Sequence, residues 1–271
     1  MVNLTKKLLE AKDWVKVRAS TNAQQSFLTW YGSVYAFIPG EPKQHLFEIV
    51  GMSVARCIPK SEGGWDFTSR ELTFYLDPEG GEKLDTWKNP WTDEILPVVH
   101  VANNPVQGFF KRPMVAFINE ELTTYKFDLF SCYPNPLADD PKFAEYSPQP
   151  FYQATELFKL TVTTADLQNP ETISVPKVML AWDRVGPWLP WMKMGDRQGH
   201  LIYSAWGGKV PGVAELPLLI QNEINTRVPL FKNAAKSLLD QNNMTSWIYF
   251  KQNFNAYLKG EKFPIFRSEV E

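Results

Sequence analysis

From Phe27 to Ile38 the side chains alternate with a period of two. Phe27, Thr29, Tyr31, Ser33, Tyr35 and Phe37 share one face, while Leu28, Trp30, Val34, Ala36 and Ile38 share the other. A β-strand sends successive side chains to opposite faces, so this stretch is a strand with two unlike sides, one wholly apolar and one mixing rings with hydroxyls. The same grammar then repeats. Segments near 45–57, 67–76, 82–88, 95–103, 122–133, 151–164, 175–185 and 199–206 read as strands. Between them lie turn-formers such as Pro39-Gly40-Glu41-Pro42, Gly63-Gly64, Asp77-Pro78-Glu79-Gly80-Gly81 and Asn89-Pro90, and a proline-rich loop over 134–150. No helical pattern interrupts the series before about residue 213, which argues against a parallel α/β sheet. The expectation is a mainly β fold: a single antiparallel meander that closes into a barrel.

Helical spacing is confined to the two ends. Leu4, Leu8, Leu9 and Val15 suggest an amphipathic helix over 3–18, and 214–225, 230–240 and 244–258 read as C-terminal helices. The expected organisation is therefore one domain over 1–271: an N-terminal helix in 1–20, a barrel in 27–210, and a helical cap in 211–271 packed on it.

Composition narrows the function classes. The net charge of −2 offers no positive field to attract nucleic acid or anionic lipid. No run of about 18 apolar residues could span a bilayer. Lys6, Lys7 and Glu10 interrupt any secretory core, so a cytoplasmic setting is expected. Cys57 and Cys132 each fall within a strand and read as buried thiols rather than a disulfide. Aromatic residues make up 14% of the chain, enough to line a pocket for a hydrophobic or aromatic small molecule. Homodimerisation stays open.

Several stretches, in order along the chain, resemble the family known as domain of unknown function 1838. They are Trp30-Tyr31-Gly32-Ser33-Val34-Tyr35, Ser69-Arg70-Glu71 with Tyr75-Leu76-Asp77-Pro78, Thr86-Trp87-Lys88-Asn89-Pro90-Trp91-Thr92, Val98-Val99-His100-Val101-Ala102-Asn103-Asn104-Pro105-Val106, Pro190-Trp191-Met192-Lys193-Met194-Gly195, Gly199-His200-Leu201-Ile202-Tyr203 and Gly208-Lys209. They cover most of 27–210. The resemblance implies no residue roles, and the fold it suits is a calycin-like or lipocalin-like barrel. Export signals are common in that family, whereas this N-terminus lacks one.

Dinucleotide, phosphate-loop and nucleophile-elbow motifs are absent, so no cofactor is expected. The three histidines lie far apart in sequence, and no metal is expected either. What remains is charge embedded in strands. Ser69, Glu71, Thr73 and Tyr75 share a face; if it lines the lumen, desolvation raises the Glu71 pKa and makes it an acid or base near neutrality. Otherwise Glu71 faces solvent or pairs with Arg56 or Arg70 as structural support. His100 is a candidate proton shuttle, set against a structural imidazole holding a backbone group. Arg184, alternating with Trp182, suits a carboxylate or phenolate next to a stacked ring, and Tyr31 could steady developing negative charge. Lys126 with Asp128, and Glu156 with Tyr152, share strand faces and read as structural pairs. The catalytic set is thus Glu71, His100, Arg184 and Tyr31. Contacts to the bound molecule are assigned to Trp30, Tyr35, Tyr75, Asn103, Trp182 and Tyr203, with Trp188 and Met192 as a pocket wall or lid, or as part of a plug closing one barrel end. Three functions are open: a cofactor-independent lyase, isomerase or cyclase; a non-catalytic carrier or sensor of a hydrophobic metabolite; or a structural or partner-binding module whose barrel is filled by side chains.

Overall fold

The alternation over Phe27–Phe37 becomes β2 (Ser26–Phe37) in a computed structural model that describes residues 4–265. β1 (Thr5–Leu9), β3 (Gln44–Pro59), β4 (Trp65–Leu76), β7 (Val101–Phe110), β8 (Met114–Ile118), β9 (Leu122–Pro134), β10 (Phe151–Thr163), β11 (Met179–Gly186) and β12 (His200–Val210) join it in one antiparallel sheet. The order is β1-β8-β9-β10-β11-β12-β2-β3-β4-β7. A separate hairpin pairs β5 (Thr86–Lys88) with β6 (Ile95–Pro97).

The sheet curls strongly. β4 and β12 have β2 and β3 between them, yet the Tyr75 and Tyr203 hydroxyls lie 3.4 Å apart across the hollow side. Gly207 helps β12 lie close to β2, since a Cβ there would fall 1.9 Å from the Thr29 carbonyl oxygen. The edge strands β1 and β7 do not pair with each other among the described residues. The architecture is a half-barrel of ten strands, not the closed meander expected.

Three elements fill and cover it. α1 (Ala11–Arg18) lies on the concave side, where Trp14 meets Tyr125 and Phe127 edge-on at 5.3 Å each. Lys209 clamps the helix end: its Nζ donates to the carbonyls of Lys16, Val17 and Ala19 and to the Ser174 hydroxyl at 2.9–3.2 Å. At the opposite end Trp191, Trp87 and Phe47 form a ring-packed plug, with centroids 5.5–5.9 Å apart. α3 (Leu218–Thr226), α4 (Ser246–Gln252) and α5 (Phe254–Leu258) contribute Ile220, Ile224, Trp247, Phe250, Phe254 and Tyr257 to the same buried cluster as β3 and β4. A short α2 (Thr164–Gln168) caps β10. No described helix is long and apolar enough to cross a membrane.

Four local expectations change. Residues 5–9 form an edge strand on β8, not the first turns of a helix, because pairing with β8 overrides a weak helical pattern; Asn3 lies outside the described residues. β8 itself, squeezed between Pro113 and Asn119, is too short to announce itself by alternation. Residues 230–240 hold only a 3-10 turn over Pro229–Lys232 followed by irregular chain, since the Asn- and Lys-rich stretch after it offers no continuous apolar stripe. Cys132 is exposed on β9, whereas Cys57 is buried and its thiol is pushed up to about 12 by burial. A thiolate is the reactive form. The native protein should therefore release one equivalent of chromophore from a disulfide thiol reagent at mildly alkaline pH, and a second only after denaturant is added; two fast equivalents would contradict the buried placement.

Candidate functional site

The apolar face of β2 turns inward, and Trp30 is its largest member. Its indole lies over Gly51 on β3: a Cβ at Gly51 would come within 2.2 Å of Trp30 Nε1, so only glycine leaves room for the ring. From there a wall of rings crosses neighbouring strands. Trp30 lies 6.5 Å from Trp182 on β11, Trp182 stacks on Phe158 of β10 at 6.3 Å, and Phe158 stacks on Phe127 of β9 at 4.9 Å. All four remain partly accessible on the concave side.

Facing this wall, β4 presents Glu71 on the same side as Ser69, Thr73 and Tyr75. Polarity alone could not decide which face of β4 points inward, because its other face, with Leu72 and Phe74, is buried as well. Glu71 pairs in register with Ser53 on β3 and Asn103 on β7. Arg18, at the end of α1, reaches the same region, its Nη2 donating to Ser53 Oγ at 2.6 Å and lying 3.4 Å from Ser69 Oγ. Burial raises the Glu71 pKa, and the Glu156 charge adds to the rise; Arg18 and the Asn103 amide act in the opposite sense without cancelling it. That coupling also reports the curl, since β11, β12, β2 and β3 separate β10 from β4 in the sheet.

Arg184 sits further along the hollow. Its guanidinium lies over Gly186 and 5.0 Å from the Tyr203 ring centre, and its Nη2 donates to the Tyr152 hydroxyl at 3.0 Å. Glu156 stands directly across the β10–β11 pair, but its Oε2 accepts the Trp182 Nε1 hydrogen at 2.9 Å. Burial raises the phenol pKa values of Tyr75 and Tyr203, which stay protonated donors. Among the described residues, buried polar atoms without a hydrogen-bond partner on this face include Trp30 Nε1, Asn103 Oδ1, Arg18 Nη1 and Arg184 Nη1, with Trp14 Nε1 and the Tyr125 hydroxyl under α1. Such atoms are costly to leave unsatisfied, and their gathering on one face marks it as the candidate site.

The structure therefore brings together Glu71, Arg184, Trp30, Asn103, Trp182, Tyr75 and Tyr203. It does not bring Tyr31 or Tyr35. Tyr31 is 44% exposed on the outer face beside Trp206, and Tyr35 stacks against His45 with the Lys43 ammonium over its ring. The apolar face of β2 claimed the interior, which left its hydroxyl-bearing face to solvent. These outer rings line an open depression of about 570 Å³ with Ser33, Glu48 and Ser204. It holds no buried unpartnered polar atom. His100 is no proton shuttle near neutrality: its Nδ1 accepts the Tyr75 amide hydrogen at 3.1 Å, and burial drives its pKa to about 3. Trp188 donates to the Arg197 carbonyl and packs on Trp91, while Met192 is buried with its carbonyl accepting from Asn89; both belong to the plug.

Arg18, Phe127 and Phe158 were not singled out from sequence, and Glu156 was read as structural. Arg18 looks like an ordinary basic residue in a helix's last turn. Phe158 could have been found from its alternation with Glu156 and Leu160. Lys126 and Asp128 point outward and are exposed. Among the described residues no three Asp, Glu, His or Cys side chains gather as metal ligands would.

These elements define a mainly β protein whose curled antiparallel sheet holds an acid, two arginines and a wall of rings on its concave face. The chain belongs to the family described as protein of unknown function (DUF1838), which it matches over residues 23–254. No curated protein matches it in sequence.

Proposed function

We propose that this protein is a cofactor-independent enzyme of the lyase, isomerase or cyclase type, working by acid–base chemistry on a hydrophobic or aromatic small molecule. The half-barrel serves as a calycin-like cup, in a cytoplasmic setting where both thiols stay reduced. One observation carries the reading: a carboxyl with a raised pKa shares its face with an unsatisfied donor, Trp30 Nε1, and an unsatisfied acceptor, Asn103 Oδ1. In this mechanism the Glu71 carboxylate takes a proton from an atom next to a carbonyl or hydroxyl. Trp30 N–H donates to the oxygen that gains charge, and Asn103 accepts from the molecule's hydroxyl. The proton then returns from Glu71 to a second atom, completing an isomerisation, or to a departing group, completing an elimination.

The test is incubation of the purified protein with an apolar metabolite extract, followed by mass spectrometry. One compound should convert to an isomer or to fragments of the same summed mass. Glu71→Gln should slow that conversion about 10²–10⁴-fold, the usual range for a general acid or base. A base must be ionised, so the wild-type rate should rise with pH through a midpoint above the ordinary carboxylate range. The linked stability has the opposite sign: a carboxyl whose folded pKa exceeds its unfolded one loses stability as pH rises between the two. Glu71→Gln should therefore gain on wild type in thermal unfolding at neutral pH, which also certifies that the slow variant is folded. A compound retained by both proteins and recovered unchanged would identify a carrier instead.

A further inference from the structure

Burying a guanidinium is expensive unless an anion accompanies it. Arg18 and Arg184 are only 9% and 8% exposed, and neither makes an ion pair among the described residues. Their situations differ. Arg18 has two serine hydroxyls and the nearby charge of Glu71. Arg184 has the nearby charge of Glu156 and, among the described residues, a single hydrogen-bond acceptor, the Tyr152 hydroxyl. Its cross-strand neighbour Glu156 supplies that negative charge but no ion pair, because its Oε2 accepts from Trp182 instead. Arg184 Nη1 is left buried, charged and without an acceptor, beside a ring wall that begins at Trp182.

We infer that the molecule bound on the concave face is an organic anion: its carboxylate docks on Arg184 Nη1, and its apolar body lies along Trp182 and Phe158 toward Glu71. A planar guanidinium with an open nitrogen recognises a planar carboxylate by charge and geometry together, and the neighbouring rings take a flat hydrocarbon. The inference rests on reading the concave face as the binding site, and it adds what the sequence patterns could not supply: the charge of the ligand and the end of the hollow at which it lies.

Isothermal titration with 2-naphthoate and its neutral isostere 2-naphthamide separates the two claims. Wild type should bind naphthoate at least tenfold more tightly, as a charge-assisted hydrogen bond in a desolvated site is worth about that factor. In Arg184→Gln the preference should fall below about twofold, because the contact that distinguishes a charged from a neutral end has been removed. Arg184→Lys keeps the charge and loses the planar fork, and should retain part of the preference even if the glutamine variant fails to fold. Equal binding of the two probes by wild type overturns the anion while leaving the site in place. Binding of neither overturns the site and the anion together. A naphthoate preference undiminished in both variants overturns the assignment to Arg184.

Discussion

Trp191→Ala will lower the stability of this protein by about 3–5 kcal/mol, the cost of emptying a large aromatic site in a well-packed core. Trp191 is 2% exposed and touches three rings, Phe47, Tyr75 and Trp87, at centroid distances of 5.6–5.9 Å. Its backbone carbonyl also accepts the Tyr257 hydroxyl at 2.9 Å, which ties the plug to α5. Truncation leaves a cavity bordered by stiff rings that cannot collapse into it. Urea unfolding should show a lower midpoint with an unchanged slope. Trp206→Ala is the matched control: that ring is 68% exposed, and the expected change is within about 0.5 kcal/mol. Comparable losses for the two would show that the plug carries no more packing than the surface.

Lys209→Met will cost about 1–3 kcal/mol by a different route, because it strips a shared buried donor from three carbonyls, of which Lys16 and Ala19 keep a second donor in the Val175 amide and the Ser174 hydroxyl. The three carbonyls that Lys209 joins sit at the C-terminal end of α1, where a helix leaves its last acceptors unsatisfied. Methionine fills similar volume but donates nothing. The pH dependence carries a second signature. Burial, with Arg18 nearby, brings the Lys209 pKa down to about 7, whereas in the unfolded chain it is about 10.4. Between those values the unfolded chain binds more protons than the folded one, so this residue makes stability rise with pH across that interval. Chemical unfolding at a series of pH values should show the slope in wild type and its loss in the variant. A variant that is less stable yet keeps the slope would assign it to another group.

Much of the architecture was legible because a two-residue period is hard to mistake over long runs such as β2, β4 and β10. The interior charges were legible for the same reason: Glu71 and Arg184 stand out against apolar neighbours on their strands. Which face turns inward was not. On β2 the wholly apolar side does, expelling Tyr31, while on β4 both sides are covered and the hydroxyl-bearing one faces the hollow. That choice is made by the C-terminal helices, far along the chain. Arg18 was illegible because its role comes from α1 lying within the curl, a placement local pattern cannot reveal. Closure failed as an expectation because strand count and turns set no edge pairing; β1 and β7 end the sheet on opposite sides.

The pairing of β12 with β2, with Tyr203 beside Val34, sets a timetable for biosynthesis. A ribosome releases β2 early, yet its partner emerges only when most of the polypeptide has been made. Until then β2 has one bare, ring-rich flank, the kind of surface that recruits chaperones or sticks to a neighbouring nascent chain. Contacts so remote in sequence also slow spontaneous refolding. Yield in heterologous expression is therefore expected to be governed by how well the cell shelters that flank, more than by the strength of the finished fold.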